Sequence, residues 1–80
     1  MKRAIKASSE LSNIERIALE LSKEGWYTEI DESDNCMYVD VDLVSHPGMD
    51  NDLYDDLERI DVNNDITVDE VNKDFIVLTW

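Results

Sequence analysis

Met37, Val39, Val41 and Leu43 alternate without a break with Tyr38, Asp40 and Asp42, and this pattern restricts most what the chain can become. Successive side chains of a strand point to opposite faces, so strict alternation describes a strand with one face in a core and the other turned outward. A sheet built on such a strand needs an apolar layer over its buried face.

Two amphipathic helices are available to supply that layer. Leu11, Ile14, Ile17, Ala18 and Leu21 recur at helical spacing until Gly25, with Ser8 and Ser9 as N-cap candidates and Ser12 and Glu15 as a capping box one turn later. A second stripe, Met49, Leu53, Leu57 and Ile60, follows the breaker His46-Pro47-Gly48, with Asp50 or Asn51 placed to cap it. Its opposite side carries Asp52, Asp55, Asp56 and Glu58.

The remaining segments read as strands and turns. Arg3 to Ala7 alternates as a short strand does, Trp26 to Ile30 reads as a strand, Asp31 to Asn35 as a polar turn, and Cys36 to Val44 as the alternating strand. Asp74 to Trp80 is a strong strand, paired with Ile66 to Val71 across Asn72-Lys73 as a hairpin. The expected fold is α+β: two helices on one face of a small antiparallel sheet, in the ferredoxin-like βαββαβ order, with room for an extra C-terminal hairpin strand. Eighty residues make one domain, 1–80, about 30 Å across.

Charge then narrows the function. Met1 to Gly25 carry five Lys/Arg against four Asp/Glu, whereas Trp26 to Trp80 carry two against sixteen, so a segment near +1 is followed by one of −14. Adaptation to high salt would spread the acids along the whole chain, and the near-neutral opening argues against it. Direct binding of nucleic acid is excluded for most of the surface, because phosphates are repelled by such a segment. The reverse relation is favoured. Thirty ångströms of duplex hold roughly 18 phosphates, about half of them on one side, so about ten carboxylates on one side of this domain equal that density. A site lined by Lys and Arg to hold a nucleic-acid backbone accepts such a surface as a competitor.

Catalytic and metal chemistry find less support. His46 lies in a predicted loop with no nucleophile motif beside it, and the chain is expected not to be an enzyme. Cys36 can form no internal disulfide and reads as a small buried residue near Asp31 and Asp34, which raise rather than lower a thiol pKa. Asp61-Val62-Asn63-Asn64-Asp65 places oxygens at the first, third and fifth positions of an EF-hand-like loop, but Ile66 stands where a sharp turn wants Gly and Asn72 where a bidentate Glu belongs. Calcium binding is therefore the lesser alternative; zinc lacks ligands, and no cofactor or metal residue is assigned. No apolar run suits a membrane span or a signal peptide, and a cytoplasmic location is expected, that of the host cell if the gene is phage-borne.

The candidate partner-binding residues are Asp52, Asp55, Asp56 and Glu58 on the second helix, Asp31, Glu32 and Asp34 in the turn, and Tyr38 beside it. Lys2 and Lys6 of the expected first strand face Asp40 and Asp42 across the sheet and neutralise them. Tyr27 and Tyr38 have outward parity, and the last strand is apolar on both parities, with Phe75 and Val77 on one and Ile76, Leu78 and Trp80 on the other. Apolar and tyrosine surface beside acids suits a protein interface. In size and charge the chain resembles phage and mobile-element anti-defence proteins of the DNA-mimic type, which block restriction enzymes, CRISPR effectors or polymerases. The resemblance covers no motif. It implies an anti-CRISPR-type inhibitor whose partner is a basic nucleic-acid-binding protein; the alternative is an acidic interaction module or adaptor without mimicry. The oligomeric state is open, with a dimer among the options.

Overall fold

A computed structural model describes the backbone of residues 2–80 and the side chains of residues 13–80. Helix α1 spans Lys2–Lys23, β1 Thr28–Asp31, β2 Cys36–Asp40, α2 Met49–Ile60, β3 Thr67–Val71 and β4 Phe75–Thr79. The class is α+β, with two helices and one antiparallel four-stranded sheet in the order β1-β2-β4-β3. The C-terminal hairpin forms as the sequence indicates, closed by the Asn72 amide donating to the Phe75 carbonyl at 2.8 Å.

The opening of the chain differs from expectation. Arg3 to Ala7 is helical, part of a continuous α1, so Ser8, Ser9 and Ser12 lie inside the helix rather than at its cap. Five alternating residues do not distinguish strand from helix. Ala4, Ala7, Leu11, Ile14, Ala18 and Leu21 follow one another at three- and four-residue spacing, and neither Gly nor Pro interrupts them. The sheet position beside β2 is taken by β4 instead, with Val39 opposite Ile76 and Asp40 opposite Phe75. The expected cross-strand neutralisation of Asp40 and Asp42 by Lys2 and Lys6 falls with the strand; those lysine side chains lie outside the described ones.

At its other end α1 stops where Gly25 predicts. The Gly25 amide donates to the Ser22 carbonyl and the Trp26 amide to the Leu21 carbonyl, both at 3.0 Å, and Gly25 has φ +99°. This is the reciprocal closure that favours glycine, because a left-handed backbone costs an L side chain energy. It also turns Trp26 back onto Leu21. Trp26 is thus a buried core residue ahead of β1 rather than the strand's first residue.

Both helices cover one face of the sheet. Ile14, Ile17 and Leu21 of α1 and Leu53, Leu57 and Ile60 of α2 join Met37, Val39, Ile76 and Leu78, the inward parity of β2 and β4, in one core. The ladder of β2 ends at Asp40, short of Val44, and Leu43 already belongs to a turn, although the Val41 and Leu43 amides still donate to the Asp74 and Lys73 carbonyls at 3.0 and 2.9 Å. Helix α2 begins after Gly48, without the side-chain cap expected from Asp50 or Asn51. Both fall within the first turn instead, where the negative charges of Asp50 and Asp52 suit the helix N-terminus.

Leu53→Ala removes a fully buried side chain from the centre of this core and is expected to cost about 2–5 kcal/mol in urea unfolding. Gly25→Ala meets no atom within 4 Å of the added Cβ, so its expected cost of about 1 kcal/mol reflects the backbone conformation alone.

Candidate partner-binding surface

The acidic residues singled out by the sequence lie on two sides of the molecule. Helix α2 lies over the core face of the sheet and presents Asp52, Asp55 and Glu58 outward, all exposed. Asp31 and Tyr38 have the opposite parity, next to Cys36 and Glu29 in the β1–β2 ladder, and so belong to the open face. The two groups do not form one surface.

Asp56 departs from its neighbours. Its side chain is only 24% exposed, its Oδ2 accepts the indole N–H of Trp26 at 2.8 Å, and its Oδ1 accepts Arg59 at 2.8 Å. The same guanidinium reaches Glu24 Oε1 at 2.9 Å, tying the end of α1 to α2. The indole hydrogen bond, joined by Arg59, holds the Asp56 carboxyl below the usual carboxylate range. Asp56 is a clamp in the structure and not a free contact residue. The spacing could not reveal this, since the outward side of α2 is defined by helical phase and the indole that meets Asp56 comes from a distant segment.

Asp31, Glu32 and Tyr38 do converge. With Glu15 of α1, Glu29, Ile30 and Ser33 they line a shallow groove of about 520 Å³ that wraps the β1 edge. Asp34 is exposed in the same turn but does not line it. Asp31 accepts both the Ser33 hydroxyl, at 2.7 Å, and the Ser33 amide, at 3.2 Å, which keeps its carboxyl ionised below its ordinary pKa. Asn35, at φ 51°, closes the turn in a left-handed conformation that Asn tolerates. Contact with the Cys36 side chain, then burial, then the charges of Asp31 and Asp34 push the Tyr38 phenol pKa up. Glu15 reaches the groove only because α1 lies along β1, which sequence periodicity does not show.

Several other acids serve the backbone. Asp42 accepts the Ser45 amide at 3.1 Å, a bond that lowers its pKa and closes the turn before α2. Asp61 is buried, and its two oxygens accept the Asp65 and Ile66 amides at 3.0 and 2.8 Å. The first position of the EF-hand-like pattern thus folds its own loop, and Asp65 is engaged by Asn13 at 2.7 Å. Among the described residues no cluster of three or more His, Cys, Asp or Glu side chains is arranged to hold a metal.

A second cavity, of about 310 Å³, lies between the end of α1 and the start of α2, lined by Glu24, Gly25, Trp26, His46, Met49 and Asp52. His46 is an exposed loop residue at its mouth. Cys36 is buried on the open side of the sheet. Among the described residues no helix is long and apolar enough to cross a membrane.

No protein family, curated protein or solved structure matches this chain. The chemistry of the surface must therefore be argued from its own residues.

The clamp separates Asp56 from its neighbours in experiment. Asp56→Ala is expected to lower stability by about 1.5–3 kcal/mol, the range for a hydrogen bond to a charged group, whereas Asp52→Asn and Asp55→Asn are neutral or slightly stabilising through reduced repulsion. The folded-state pKa of Asp56 is depressed below its ordinary 3.8, so its contribution is complete above that value and is lost as pH falls through the lower folded value. The fall in melting temperature below about pH 4 should accordingly be shallower in Asp56→Asn than in the unmodified protein.

Proposed function

We propose that the protein is a small acidic inhibitor that binds a basic nucleic-acid-binding protein and occupies its DNA or RNA site, with the exposed stripe of α2 as the contact surface. The observation that carries this reading is the scarcity of ion pairs among the described residues. Of the sixteen Asp/Glu from Trp26 onward, Asp56 alone stands in an ion pair among the described residues. Arg59, one of the segment's two cations, is engaged by Glu24 and Asp56.

The spacing on α2 supports it. Residues three apart on a helix advance by about 4.5 Å, so Asp52, Asp55 and Glu58 form a row of charges close in density to one phosphate per 3.4 Å along a nucleic-acid strand. A rigid helix holds that row in place without further ordering cost, which favours binding to a preformed cationic groove. An anti-CRISPR or other anti-defence inhibitor is the biological form such a molecule takes. An adaptor that binds a basic protein elsewhere is the second reading, favoured by the apolar residues on the open face of the sheet.

The test is a binding measurement with and without competing DNA. The complex with a captured basic partner should dissociate when duplex DNA is added, and Asp52→Asn/Asp55→Asn/Glu58→Gln should weaken it and reduce the slope of log affinity against log salt by about one per charge removed. A complex that DNA leaves intact favours the adaptor, and unchanged affinity of the triple variant removes α2 as the contact surface.

A further inference from the structure

The geometry points to the open face of the sheet as a docking surface for a cationic amphipathic helix of a partner protein. This surface is separate from the α2 stripe and does not rest on nucleic-acid mimicry. The ladder registers define it. Glu29 pairs with Tyr38, Tyr38 with Val77, and Val77 with Glu70, so one row across the sheet runs acid, apolar, apolar, acid. In the neighbouring rows Asp31 lies beside Cys36, and Asp40 beside Phe75. The two central strands therefore carry an apolar seam of Cys36, Tyr38, Phe75 and Val77 that ends at Asp40 of β2, and the edge strands flank it with Glu29 and Asp31 on one side and Glu70 on the other.

The seam is partly accessible. Cys36 and Val77 are buried at 5% and 9% exposure, whereas Tyr38 and Phe75 stay half-exposed and meet edge to face at 5.9 Å with an interplanar angle of 74°. Among the described residues, the apolar stripes of both helices pack on the other face of the sheet, away from these rings.

Charge complementarity and dimensions select the occupant. Neighbouring strands lie about 4.8 Å apart, which puts β1 and β3 about 14 Å from each other across the face. A helix of about 10–12 Å diameter fits between them, its apolar stripe on Tyr38 and Phe75 and its flanking Lys and Arg reaching Glu29 and Asp31 on one side and Glu70 on the other. A second copy would bring the same carboxylates face to face, and an anionic membrane would be repelled in the same way. The β3 edge likewise discourages self-pairing, because it carries Asp69 and Glu70 and a register shift between Val68 and Glu70.

The probe is a fluorescent Leu/Lys peptide of about five helical turns, compared with a scrambled peptide of the same composition that has no apolar stripe. The 80-residue chain should bind the amphipathic peptide about tenfold or more tightly than the scrambled one, with NMR shifts centred on Tyr38, Phe75 and Val77. Glu29→Lys/Glu70→Lys should weaken binding by about tenfold or more, and Tyr38→Ala by a similar factor, while Asp52→Asn/Asp55→Asn/Glu58→Gln changes it by less than about twofold. Melting curves verify that each variant is folded, and Glu29→Gln/Glu70→Gln replaces the charge reversal if that variant unfolds. Equal binding of the two peptides, or loss of binding in the α2 variant as large as in the sheet variant, overturns the proposal. Neither result bears on whether DNA displaces a partner from α2, so the two readings fail separately.

Discussion

The structure depends on the insertion of its last strand between two others. β4 pairs with β2 on one side and β3 on the other, and Ile76 and Leu78 are fully buried beneath the helices. The β1–β2 and β3–β4 hairpins are local, but β2 meets β4 only after α2 has been bridged. Closing that loop costs chain entropy before the core repays it. The apolar content of Phe75-Ile76-Val77-Leu78 on both parities follows from this central place: one parity faces the helices, and the other forms the seam of the open face.

That sheet must hold while the chain carries a net charge of −13. Exposed carboxylates repel one another across the surface, and part of the opposing stabilisation comes from acids that have been given structural work. Asp61 and Asp42 close loops through backbone amides, Asp31 organises the first hairpin, and Asp56 joins Trp26 to Arg59 and, through it, to Glu24. The bonds to Asp31, Asp42 and Asp56 favour the ionised form, so folding and high charge are compatible at neutral pH. Asp52, Asp55 and Glu58 have no such duty among the described residues, which is why the proposed contact is placed on α2.

Much of the architecture was legible because burial imposes period. The alternation that begins at Met37 and the stripe from Met49 to Ile60 each describe an element with one apolar side, and the structure has the helix in full and the strand as far as Asp40. The opening segment was misread for the converse reason: Arg3 to Ala7 satisfies two periods at once, and the identity of the strand beside β2 decides between them. Among the candidate contact residues, parity placed Tyr38 correctly on the outward face. Asp56 was indistinguishable from Asp52 and Asp55, because a Trp26 indole thirty residues away in sequence is what engages it.

By itself the sequence determined the α+β class, the two helical stripes, the stop at Gly25, the C-terminal hairpin and the concentration of acid after Trp26. These are local properties, written in periodicity, backbone preference and composition. Only the tertiary structure decided that β4 lies at the centre, that the acids divide between α2 and the two edges of the open sheet, and that Asp56 belongs to a clamp. Those outcomes depend on which distant segments meet, and a pattern within one segment carries no record of its partner across the fold.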